Sequence, residues 1–176
     1  TQRWPLLGAS STLAPLALVE DAVNRAIRSF LAATAYKGPP YPTREALVQR
    51  IREVAGAEHA ELVEDLFERI VLFENRALEA RAQKLASGRY QVTLSVRAKK
   101  LRADELGAQT EVPLRQQIDI GVLDAAGKPL YLAKHPITSG EQTLRIEVQG
   151  EPARAGIDPL NKLIDRAPGD NLVDIE

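Results

Sequence analysis

The sequence predicts an α+β chain in which a helical first half gives way to an antiparallel β half. Three observations carry the prediction. Apolar residues recur at spacings of three and four through the first half, the stripe of amphipathic helices. From Tyr90 the period becomes two: Tyr90, Val92, Leu94, Val96 and Ala98 alternate with Gln91, Thr93, Ser95, Arg97 and Lys99, the pattern of a strand with one face on a core. Beyond it, short alternating runs are separated by turn residues to the end of the chain. Gly88 is therefore the expected hinge between a helical segment, 15–88, and a β-sandwich, 89–160, with an extended arm or cut linker at 1–14 and a tail at 161–176.

The arm, Thr1 to Ala14, has no period, and Pro5, Gly8, Ser10 and Ser11 suit a segment laid on a neighbouring surface with Trp4 as its anchor. Pro15 suits the first position of a helix carrying Leu16, Val19, Val23, Ile27 and Phe30 and ending near Lys37. Gly38-Pro39-Pro40-Tyr41-Pro42 then enforces an extended connector. Thr43 is the N-cap expected for a second helix, with Glu45 in its first turn, Leu47, Val48, Ile51 and Val54 as its buried stripe, and Gly56 as its stop. A third helix is expected from Glu58 to Ser87, about 40 Å long, bridging the two halves. Leu62, Leu66, Ile70, Phe73, Ala77 and Leu85 form its main face, widened by Val63, Phe67 and Val71. Glu74, Arg76, Glu79, Arg81 and Lys84 read as its solvated face.

In the β half, Thr110, Val112 and Leu114 form a second strand, placed at an edge or bulge by Pro113. Ile118, Ile120 and Val122 form a third, and Asp124-Ala125-Ala126-Gly127 before Leu130-Tyr131-Leu132 signals a hairpin. Leu144, Ile146 and Val148, then Ala153, Ala155 and Ile157, complete about six short strands. Each shows one apolar face, so two sheets must share a core, in an immunoglobulin-like sandwich.

Composition narrows the chemistry. The 176 residues carry a net charge of −1, which supplies no field to draw nucleic acid or an anionic membrane, and neither is expected as a direct partner. The absence of cysteine excludes disulfides, thiolate catalysis and zinc–thiolate sites. No apolar run approaches the length of a spanning helix, so the chain is expected to be soluble by itself. It also contains no methionine and opens in the turn-rich Trp4 to Ser11 stretch, which favours a piece of a longer protein.

No catalytic, cofactor-binding or metal-ligating set is expected. His59 has Ala60 at i+1 and Val63 at i+4 where a zincin helix needs Glu and His. His135 has no visible nucleophile, Ser139 being too close in sequence to face it, and reads as a loop-packing residue. Asp165, Asp170 and Asp174 lack the oxygen ladder of a calcium loop, and Asp165 with Arg166 reads as a local pair. Arg97, Lys99, Lys100 and Arg102 form the one basic cluster; a solvated strand face is the favoured reading and an anion site the alternative.

Glu141-Gln142-Thr143 feeding Leu144-Arg145-Ile146-Glu147-Val148, with Pro152 and Ala155-Gly156-Ile157-Asp158-Pro159 beyond, resembles the small β-sandwich domain of aminopeptidase N-type (gluzincin) zinc metallopeptidases. Tyr41-Pro42-Thr43, Ala98-Lys99-Lys100-Leu101, Ile118-Asp119-Ile120-Gly121, His135-Pro136-Ile137-Thr138-Ser139-Gly140 and Leu160-Asn161-Lys162-Leu163-Ile164-Asp165-Arg166 look like the C-terminal end of bacterial proteins that fuse an ABC-type transporter permease to such a peptidase-like domain. The resemblance spans about Ala35 to Asn171. It implies a non-catalytic supporting region, with the upstream catalytic domain of the same chain as partner and zinc held there. It also implies a parent in the bacterial inner membrane, with this region outside the bilayer on the periplasmic face. The family's zinc motif and its Gly-x-Met-Glu-Asn strand have no counterpart here, so no catalytic residue carries over. The alternative is a transporter-associated interaction module that binds a peptide or partner protein and has no peptidase activity.

Overall fold

The computed structural model describes the chain from Ala14 onward, and its side chains from Asp21 onward except Ala22. The expected arm, its Trp4 anchor and the Leu16 and Val19 positions of the first stripe lie outside the described residues. Two compact units divide after Glu68, twenty residues before Gly88.

Among the described residues the first unit has three α-helices, α1 (Ala14–Thr34), α2 (Arg44–Ala55) and α3 (Ala60–Phe67). The α2 boundaries follow from its sequence. The Thr43 side chain accepts a hydrogen bond from the Ala46 N–H at 3.4 Å, and Gly56, at φ 83°, returns its own N–H to the Arg52 carbonyl. Backbone and Thr43 hydrogen bonds hold the Glu45 carboxyl below its usual value. Ala26, Val48, Ile51 and Val63 form the core of this unit, with Leu47, Val54 and Phe67 packed against it. Among the described side chains of α1 the buried one is Ala26 and not Ile27, which is 39% exposed. On α3 the buried residues are Val63 and Asp65, with Phe67 partly buried against the core, while Leu62 and Leu66, expected inward, face out.

The expected long third helix is not formed. Its helix stops at Phe67, and Ile70–Lys84 is instead a strand, β1, paired antiparallel with β2 (Tyr90–Ala103) along its whole length. The register shifts between Ala77 and Glu79, a β-bulge. Before it Phe73, Asn75 and Ala77 are buried; after it the buried residue is Ala80. One extra residue reverses which alternate positions face inward. Consequently Phe73, Ala77 and Ala80 fall four and three apart, the spacing of a helix face, although the backbone is extended.

The remaining strands are β3 (Gln109–Val112), β4 (Arg115–Leu123), β5 (Pro129–Thr138), β6 (Gly140–Val148), β7 (Arg154–Ile157) and β8 (Leu172–Asp174). One four-stranded sheet has β2 between β1 on one side and β6 and β3, end to end, on the other; the second has the order β5-β4-β7-β8. Neighbouring strands within each sheet are antiparallel. Val92, Leu94, Val96 and Ala98 of β2, all fully buried, share one core with Ile120 and Val122 of β4, Ile137 of β5, Ile146 of β6 and Ile157 of β7. The expected hairpin is present: Gly127, at φ 79°, donates to the Asp124 carbonyl, and the Asp124 carboxylate accepts from Ala126 and Lys128. Leu114, expected in the second strand, lies instead at the corner between β3 and β4, where the chain leaves one sheet for the other. Its N–H there donates to Ser139 Oγ at 2.9 Å.

Alternation fails in β4, where Ile118 to Leu123 are buried on both faces. The outer face is roofed by the turn after β7. Asp158, at φ 44°, donates its N–H to the Asp119 carbonyl, and its carboxylate accepts from the N–H groups of Lys162 and Leu163. Pro159 lies so close over Gly121 that a Cβ there would stand 2.6 Å from it.

Candidate functional site

The tail is stitched to β1 and makes the wall of a cleft. Phe73 N–H donates to the Ile164 carbonyl at 2.9 Å, Arg166 N–H to the Phe73 carbonyl at 3.0 Å, and Asn75 N–H to the Asp165 carboxylate at 2.9 Å. The same carboxylate accepts from Ala167. Downstream, Glu176 exchanges backbone hydrogen bonds with Ala80 and Ala82, so the chain end that leaves β8 runs parallel to β1.

Between these two attachments the cleft has a volume of about 360 Å³. Its floor is the solvent face of β1 and β2, where Glu74 stands opposite Lys99 and Arg76 opposite Arg97. Asp165, Arg166, Ala167 and Asp170 form the wall. Arg166 Nη1 bonds Glu74 at 2.7 Å and the Gln109 side chain at 3.2 Å. Arg76 Nε approaches Asp170 at 3.6 Å, an ion pair beyond hydrogen-bond distance. Arg97 turns away toward Glu141 of β6, and Lys99 toward Glu111 of β3 at 3.4 Å. Asn75, 2% exposed, borders the cleft, but its side chain is on the core face of β1 opposite Ala98, and neither its Nδ2 nor its Oδ1 has a hydrogen-bond partner within the protein.

A second charged cluster lies under the turn after β7. Asp119, its side chain 8% exposed, meets Lys162 Nζ at 2.7 Å and Lys134 Nζ at 3.4 Å. Burial alone would raise its pKa, but the Lys162 hydrogen bond and the two ammonium charges outweigh it and hold the carboxyl below its ordinary value. Lys162 belongs to this turn and Lys134 is the cross-strand neighbour of Asp119 on β5, so the cluster ties the turn to the β4–β5 pair and is a fastening of the fold.

The sequence-level candidates scatter. His59 closes a single turn of 3-10 helix before α3 and is half-buried. His135 lies in the other unit on β5, where its Nε2 and the Tyr131 hydroxyl share a hydrogen bond of 2.8 Å. Burial lowers the His135 pKa and raises that of Tyr131. Ser139 serves Leu114 as described. Asp165 and Arg166 do not form the expected local pair, since each turns to β1. Asp174 lies in β8, apart from the cleft. The basic cluster divides. Arg97 and Lys99 join the cleft, whereas Lys100, on the opposite face of β2, is buried at 3% exposure and is not part of a solvated face.

Arg76 and Glu74, read from sequence as the outer face of a helix, are therefore the residues that sequence reasoning missed. Once the segment is a strand, cross-strand register puts them beside Arg97 and Lys99. Their meeting with a tail some ninety residues away has no signal in the linear pattern. Among the described residues no three His, Asp or Glu side chains are grouped to hold a metal ion, and no helix is long and apolar enough to cross a membrane. Comparison with models of known protein families, with curated proteins and with solved structures finds no match to this chain.

Proposed function

We propose that this chain is the non-catalytic C-terminal supporting region of a membrane-linked, aminopeptidase-like zinc metallopeptidase of the bacterial kind fused to an ABC-type transporter permease. In this reading an upstream catalytic domain holds the zinc, the membrane belongs to the parent's spans, and this region buttresses the catalytic cleft from outside the bilayer on the periplasmic face. One observation supports it most. The residue words that carry the resemblance are turning points of the second unit: Glu141-Gln142-Thr143 opens β6, and Asp158-Pro159 ends β7 in a turn closed by its own carboxylate.

An immunoglobulin-like relation is part of the same proposal. The pairings β1-β2-β6 and β4-β7-β8 correspond to the A-B-E and C-F-G sets of that sandwich, with β5 beside β4 where the constant-type arrangement sets its fourth strand beside the strand corresponding to β6. The coding sequence upstream of Thr1 is the test. A His-Glu-x-x-His helix with a downstream glutamate, preceded by apolar runs of about 20 residues, is the expected result. A start codon directly before Thr1 overturns the proposal. Apolar runs without the zinc helix shift it to the second reading, a transporter-associated interaction module, which the charged cleft beside β1 favours.

A further inference from the structure

β1 carries a polar side chain where its inward neighbours are apolar. Phe73 and Ala77 belong to the core shared by the two sheets, and Asn75 between them faces the same way, opposite Ala98 of β2. Asn171 is its counterpart on the tail. Its carbonyl accepts from the N–H of Ile157, a core residue, and Val173 and Ile175 beyond it pack on the same core. Asn75 is 2% exposed and Asn171 1%. Their chain neighbours Arg76 and Asp170 meet at 3.6 Å, and β1 runs alongside both the Pro168–Asp170 turn and β8. The two buried amides therefore lie along one seam, between β1 and the tail.

In both residues Nδ2 and Oδ1 have no hydrogen-bond partner within the protein. A buried amide without partners is strongly unfavourable, so native folds pair such groups with protein or with ordered water. The chemistry of the pair decides what joins it. A cation would use both oxygens and orphan both NH2 groups, an anion would do the reverse, and the enclosure of both side chains shuts out larger solutes. Water has two donors and two acceptors, the complement of two amides, and buried waters ordinarily make about three hydrogen bonds to groups of this kind. Asp170 Oδ1 is enclosed and unpartnered as well, but the other oxygen of that carboxylate meets Arg76 in the charged cleft, and the site does not depend on it. We propose that the seam between β1 and the tail encloses an ordered water site that joins the Asn75 and Asn171 side chains, and that this water is part of what holds the tail on β1. The direct bonds to either side of it are those of Phe73 with Ile164 and Arg166, and of Ala80 and Ala82 with Glu176. The site does not rest on the function proposed above, and its failure leaves that reading untouched.

Water-selective NMR on the full chain tests the site directly. The side-chain NH2 protons of Asn75 and Asn171 should show cross-relaxation with water of the sign given by a long-lived bound molecule, opposite to that of chemical exchange. Leucine has the shape of asparagine without its polar atoms, so Asn75→Leu and Asn171→Leu supply the second measurement. Each should lower the urea midpoint, because the remaining amide and its water are left incompletely bonded. Each should also speed hydrogen exchange at Arg166 and Glu176, whose N–H groups bond β1, while β2 and β6 stay protected. The double variant should lose less than the sum of the two single losses. Absence of water cross-relaxation at either amide, a raised midpoint in either single variant, as removal of a dry orphan would give, unaltered exchange at Arg166 and Glu176, or additive losses would each overturn the proposal.

Discussion

Ile70 and Phe73 separate the extended from the helical account of the segment after α3. On a helix they share a face; on β1 as observed they do not, since Phe73 is 5% exposed in the shared core and Ile70 is 55% exposed. Phe73→Ala should cost about 3–5 kcal/mol, the range for deleting a buried aromatic ring. A fully buried Ile is worth about 1.5–3 kcal/mol, and with more than half of Ile70 in solvent its truncation should cost about 1 kcal/mol or less. Urea unfolding of the full chain, followed by far-UV circular dichroism, reads the difference. At an m-value of about 1.5 kcal/mol/M, Phe73→Ala lowers the midpoint of the β-unit transition by about 2–3 M and Ile70→Ala by less than about 0.7 M. Equal shifts would return the segment to a helix and refute the bulged-strand register.

Three further predictions follow from the packing. Gly156→Ala should prevent β8 from pairing, because a Cβ there would stand 1.9 Å from the Asn171 carbonyl oxygen of the adjoining backbone; loss of amide protection in both β7 and β8 by hydrogen exchange is the expected readout, and unchanged protection would contradict it. Asp119→Asn should destabilise by about 1–3 kcal/mol at neutral pH, as for a hydrogen bond to a charged group. Because its folded pKa lies below the unfolded value, that stabilisation is present above about pH 4 and is lost as pH falls through the folded value; a variant whose acid-unfolding profile overlays the parent's would exclude the fastening role. His135 also has a depressed pKa, so the unfolded chain takes up the proton first and stability falls as pH drops below about 6.5. His135→Gln should flatten melting temperature between pH 7.5 and 5.5, and an unchanged slope would show that His135 is not its source.

Where a strand has one wet face and turn residues at its ends, sequence alone was sufficient. β2, β6, the β4–β5 hairpin and the caps of α2 all follow from local chemistry, since Thr43, Gly56 and Gly127 act within a few residues of themselves. Arg97 and Lys99 were visible as a basic cluster for the same reason. Tertiary structure decided the rest wherever a partner distant in sequence set the conformation. Residues Ile70 to Lys84 are rich in the helix formers Leu, Ala, Glu and Arg, and the bulge gives their buried positions helical spacing, yet pairing with β2 along the whole strand prevails over propensity. Asp119 and Gly121 alternate as an outer face should, but the turn at Asp158 to Lys162 covers them. The cleft, too, exists only because hydrogen bonds from Phe73 and Asn75 bring the tail to β1, and a contact between residues ninety positions apart leaves no period in the sequence for reading to find.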